Sequence, residues 1–167
     1  AYGFGKSEEI VGKAIEEYGD RENILVATKA GLDWTEDEEV FRNSKPERIR
    51  KEIKDSLKRL DTDYIDLYQI HWPDPLVDIH ETAKVMKELY DEGTIRAIGV
   101  SNYSCEQMDK FREKCPLHTT QPPHNMFERD QEDILDYSVK QGITPLMYGS
   151  LCRGLLTGKI TKETEYE

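Results

Sequence analysis

Five short β-rich runs alternating with amphipathic helical segments set the strongest limit on how this chain can fold. Residues 23–29 (NILVATK), 64–71 (YIDLYQIH), 95–102 (IRAIGVSN) and 143–149 (ITPLMYG) read as strands. Residues 119–125 (TTQPPHN) form a weaker fifth, limited by two prolines. Between them Ile49, Ile53, Leu57 and Leu60 recur at spacings of 4, 4 and 3, and Ile79, Ala83, Met86 and Leu89 repeat the stripe. Ser44 with Glu47 reads as a capping box ahead of the first stripe, with Pro46 in its first turn; Ser104 with Gln107 reads as another. Gly93 and Gly142 stand where helices should end, and residues 7–19 (SEEIVGKAIEEYG) carry carboxylates in a first helical turn. Strand starts near 24, 64, 95, 119 and 143 give a repeat of roughly 24–40 residues, the length of a βαβ unit.

Two α/β architectures have this rhythm, a doubly wound sheet and a (β/α)8 barrel. No GxGxxG follows a strand, which weakens the first. The second needs eight strands and about 250 residues, so 167 residues with five strands would be one partial domain, 1–167. A net charge of −11 disfavours nonspecific nucleic-acid binding, which needs clustered Lys and Arg. No apolar run approaches the ~20 residues of a membrane span. Cys105, Cys115 and Cys152 are odd in number and irregular in spacing, as expected of a protein in the reducing cytoplasm, and no signal peptide is read.

In a barrel, chemistry gathers at the C-terminal ends of the strands. Those ends are Lys29, His71, Ser101 with Asn102, Gln121 and Tyr148. One polar strand end is ordinarily a solvated or packed group, but a run of them on successive strands reads as a shared rim. Alternation places Ile65, Leu67, Gln69 and His71 on one face, which points His71 inward. The four histidines show neither HExxH nor zinc spacing, so no metal site is expected. A G-x-S-x-G elbow and a P-loop are also missing; "LCRGLLTGK" (151–159) is Gly-rich without P-loop spacing.

The pieces "YGFGKSEEIVGKAI", "VATK", "SLKRLDTDYIDLYQIHWPD", "LYDEGTIRAIGVSNYS", "QPPHN" and "YGSLCRGLLTGK" together resemble the aldo-keto reductase family, in that family's order. Within it they are similar to bacterial general-stress-protein and aryl-alcohol-dehydrogenase-like members. The resemblance implies a (β/α)8 barrel, here lacking its first and last strands, that reduces aldehydes and ketones with NADPH. It implies catalytic roles for Tyr2, Lys29 and His71, while the family's aspartate would precede Ala1. It implies that Ser101, Asn102 and Gln121 hold the nicotinamide carboxamide and that Tyr148 stacks on the ring. Gly149, Ser150, Leu151 and Gly154 would pass under the pyrophosphate, and Lys159 would reach a phosphate. Trp72 and Trp34 are candidate walls for a small-molecule carbonyl substrate. His124 departs from the tyrosine frequent in the family, and Tyr148-Gly149-Ser150-Leu151 stands where Y-S-P-L is common. Two other readings remain, a non-catalytic NADPH-binding regulatory subunit and an inactive fragment. Substrate identity and oligomeric state are not legible.

Overall fold

Local chemistry explains most of the elements. The computed structural model describes residues 2–164; Ala1, residues 165–167 and the Tyr2 side chain lie outside that description. A 3-10 turn, Tyr2–Gly5, leads into α1 (Lys6–Tyr18), which Gly19 ends in the left-handed conformation. Then follow β1 (Ala27–Ala30), β2 (Leu32–Trp34), β3 (Val40–Arg42) and α2 (Pro46–Leu60). After them come β4 (Leu67–Ile70), α3 (Ile79–Asp91), β5 (Ile98–Ser101) and α4 (Cys105–Arg112). The chain continues through β6 (Thr119–Gln121), α5 (Glu132–Lys140), β7 (Thr144–Pro145) and a 3-10 segment, Cys152–Thr157. The Ser104–Gln107 capping box closes in both directions.

The strands line up in the order β1-β4-β5-β6-β7, all parallel. Successive strands are neighbours and the order never reverses. A doubly wound sheet requires a reversal, so this is an arc of a (β/α)8 barrel. The strands are shorter than the apolar runs suggest. Ile65 joins the arc through a single bridge to Ile95, and Tyr148 through one to Pro123.

Tyr68, Ile70, Ile98 and Val100 face the helices and are buried against Ile49, Ile53, Met86, Leu89, Met108 and Phe111. Each such Val, Leu, Ile, Met or Phe side chain contributes about 1.5–3 kcal/mol through burial. The opposite face, with Gln69 and Gly99, is the inner face of the arc. No helix among the described residues is long and apolar enough to cross a membrane.

Two features depart from the sequence reading. Ser44 caps nothing: Lys45 is the N-cap of α2. Ser44 is buried, its N–H donates to Asp74 Oδ2 (3.0 Å), and its hydroxyl and carbonyl both accept from Thr82 Oγ1. Ties to the segment after β4 and to α3 outcompete the local cap. The second departure is an antiparallel hairpin, β2–β3, inserted after β1. Its turn is closed by Thr35 and Glu39, with Glu38 left-handed at φ 63°. At the far end of the strands Asp66 braces Arg21 (2.7 Å), Arg96 (3.4 Å) and the Val26 N–H, while both guanidiniums lie over the Tyr64 ring.

Candidate active site

Register fixes which side chains meet. Lys29 on β1 pairs with Gln69 on β4, Gln69 with Gly99 on β5, and Gly99 with Thr119 on β6. Aligned residues point to one face, so these four form one inward row. A row further along holds His71, just past β4, then Ser101 paired with Gln121. The His71 N–H donates to the Ala30 carbonyl at 2.9 Å, which holds it to the end of β1.

The upper row lines a cavity of about 170 Å3. Lys29, His71, Trp72, Ser101, Asn102, Gln121 and Tyr148 surround it, so seven residues singled out in the sequence converge there. Asn102 organises them from a left-handed backbone, φ 62°. Its Nδ2 donates to the His71 carbonyl (3.0 Å) and to Ser101 Oγ (3.0 Å), and its Oδ1 accepts from the Tyr148 hydroxyl (2.9 Å). Ser101 Oγ in turn donates to the Gln121 carbonyl at 2.9 Å. Tyr148 is clamped by its backbone as well, donating to the Pro122 carbonyl and accepting from the His124 N–H, each at 3.1 Å.

Burial depresses the pKa values here. His71 is pulled down to about 4, first by desolvation and then by the neighbouring Lys29 ammonium. A neutral imidazole is therefore the form present near pH 7, able to donate one hydrogen bond. Desolvation also lowers Lys29.

The remaining sequence candidates lie elsewhere. Trp34 lines a second cavity, about 140 Å3, which shares Lys29 with the first but is bounded by Gly5, Glu8, Arg48 and Glu52. Gly149, Ser150, Leu151 and Lys159 are exposed, Gly154 is half-buried, and none lines the cavity around His71. Tyr2 stands in the turn before α1, its side chain outside the described residues. The sequence reading missed Arg48 and Glu52 on α2. Their one available signal is that Glu52 falls on the apolar face that also carries Ile49, Ile53 and Leu60.

A parallel α/β barrel arc with polar residues converging at its strand ends defines a class of enzyme scaffold, and comparison with known proteins places the chain within it. The profile of the Aldo/keto reductase family matches residues 1–167, and the chain belongs to that family. It is 64% identical to the aldo-keto reductase YhdN of Bacillus subtilis (strain 168), over 100% of this chain and 50% of that protein. It is 37% identical to the NADH-specific methylglyoxal reductase of Escherichia coli (strain K12), over 97% of this chain and 53% of that one. Among solved structures, the glycerol dehydrogenase AKR11B4 from Gluconobacter oxydans superposes with a TM-score of 0.95 at 53% identity, covering 99% of this chain and 52% of its own. The chain thus spans about half the length of the relatives it matches.

Proposed function

We propose that the intact protein reduces small aldehydes and ketones to alcohols with a nicotinamide cofactor, using Tyr2, Lys29 and His71. Family membership supports carbonyl reduction in general. The observation that carries the finer reading is the convergence of Lys29, His71, Ser101, Asn102, Gln121 and Tyr148 on one cavity.

The residues present fit a nicotinamide. Its carboxamide offers one acceptor and two donor hydrogens; Ser101 Oγ and Asn102 Oδ1 each keep a lone pair beyond their protein partners, and Gln121 lines the same cavity. The Tyr148 ring, tethered through its hydroxyl to Asn102, supplies a flat apolar face. When bound, the cofactor supplies the hydride. The protein's own task is the proton and the negative charge that grows on the carbonyl oxygen. Tyr2 donates the proton. A phenol of pKa ~10 is a slow donor at neutral pH, and a Lys29 ammonium brought next to it would favour the phenolate and lower that value. His71, held neutral, donates a hydrogen bond to the same oxygen. Gly149, Ser150, Leu151 and Gly154 would hold the pyrophosphate, and Lys159 would hold a phosphate. Trp72 walls the substrate side.

NADPH is the carrier that the family resemblance suggests, while one relative is named for NADH specificity. Titrating both reduced cofactors into the intact protein, read by quenching of protein fluorescence, decides between them. Carbonyl-dependent oxidation of the bound cofactor then tests the reaction. Failure to bind either cofactor refutes the reading. We also place the protein in the cytoplasm, supported by Cys105, Cys115 and Cys152 being free thiols.

A further inference from the structure

Trp34 was a candidate substrate wall, yet its contacts run the other way, toward the turn that carries Tyr2. That turn is unusual. Gly3, Phe4 and Gly5 have φ of 55°, 50° and 99°, three left-handed residues in succession. A bulky side chain at positive φ is strained and persists only where its surroundings hold it. Phe4 is 36% exposed, so burial alone does not hold it. What it meets is Trp34, edge to face, with ring centroids 5.5 Å apart and planes at 67°.

Trp34 is itself gripped from α2. The Arg48 guanidinium lies 5.2 Å from the centre of the Trp34 ring. The same guanidinium donates to the Leu32 carbonyl (3.0 Å) and pairs with Asp33 (3.0 Å), whose carboxylate also accepts the Trp34 N–H (3.0 Å). Glu52 accepts from Arg48 (3.2 Å) and from the Gly31 N–H (2.8 Å). Two side chains from one helix therefore fix four consecutive residues, Gly31 to Trp34. The other flank of the turn is held by Arg59, packed against Gly5 and paired with Glu8 (2.8 Å), which accepts from Thr28 Oγ1 on β1 (2.8 Å).

We propose that Phe4 and Trp34, the latter braced by Arg48 and Glu52, are positioning residues that hold the Tyr2 turn against the end of β1. The proposal rests on the reading of Tyr2 as the acid. Its physical content is that the rings set where the turn lies, so losing them displaces the proton donor without touching the cofactor's cavity.

The test uses the intact protein and four variants: Phe4→Gly, Trp34→Ala, Trp34→Phe and Tyr2→Phe. Glycine tolerates φ 50°, so Phe4→Gly relaxes the backbone while deleting the ring, and it keeps the test open if Trp34→Ala fails to fold. We expect Phe4→Gly and Trp34→Ala each to lower kcat by roughly tenfold to a hundredfold, as a misplacement of about 1 Å does. Cofactor affinity and substrate KM should change little, the melting temperature of Phe4→Gly should not fall, and Trp34→Phe should recover most of the loss. Wild-type kcat in Phe4→Gly, with turnover abolished in Tyr2→Phe, overturns the positioning claim alone. Raised substrate KM with unchanged kcat in Trp34→Ala also overturns it and returns Trp34 to the role of substrate wall. Retained turnover in Tyr2→Phe overturns the acid assignment and the positioning claim together.

Discussion

Gly99 offers a sharp test of the inner row beneath the candidate site. It stands between Gln69 and Thr119 in register, and its missing side chain is the space those two fill. A Cβ built there would lie 2.3 Å from Thr119 Oγ1 and 2.7 Å from Gln69 Cγ. Both distances fall roughly 1 Å short of the ~3.5 Å at which carbon contacts become favourable. Gln69 is only 1% exposed and has little room to withdraw. Gly99→Ala should therefore cost about 1–3 kcal/mol, the usual penalty for overpacking. Gln69 is also the register partner of Lys29, so its displacement should reach the site and lower kcat. Urea melts of the intact protein with a turnover assay read both effects. Thr119→Ala removes the shorter clash, so the double variant should recover part of the loss, a coupling of about 1 kcal/mol in a mutant cycle. Wild-type stability and turnover in Gly99→Ala would refute the close packing of this row.

Three further outcomes follow from the electrostatics and hydrogen bonding. Burial raises Glu52 to about 7 from its ordinary 4.5, so its stabilising contribution is full below pH 4.5 and is lost as pH rises through 7. Between those limits Glu52→Gln should gain on wild type by about 3 kcal/mol, following 1.4 kcal/mol per pKa unit, in urea melts across that range. His71 has the opposite sign: with its pKa depressed to about 4, stability held above pH 6.5 is lost as pH falls toward 4. Turnover should accordingly show no titration of this imidazole at 6.5 in a pH–rate profile. Asn102→Ala unties His71, Ser101 and Tyr148 together and should weaken cofactor binding about tenfold or more, measured by fluorescence titration.

The parts of the fold visible in the sequence are those that local periodicity writes down. The apolar runs ending at Lys29, His71 and Asn102, the helical stripe from Ile49 to Leu60 and the Ser104–Gln107 cap depend on near neighbours. The strand-end residues were legible for a related reason: successive parallel strands bring their ends together by topology alone. Tertiary competition hid the rest. Ser44 gave up its expected cap because Asp74 and Thr82, distant in sequence, claim its polar groups. The β2–β3 hairpin has two short strands and an acid-rich turn, too little pattern to announce itself. Glu52 on an apolar helix face was a visible anomaly, but its meaning came only with Gly31 and Arg48 beside it. The role given to Tyr2 came from the family's motif rather than from any periodicity.

The reaction proposed for this site is tested most directly by single-turnover carbonyl reduction in the intact protein, wild type against Tyr2→Phe, with cofactor affinity measured on both. Wild type should oxidise the bound reduced cofactor only when a carbonyl compound is present. Tyr2→Phe should lose about 10²–10⁴-fold of that rate, the usual worth of a general acid, while binding the cofactor as before. An unchanged rate in Tyr2→Phe would contradict the assignment.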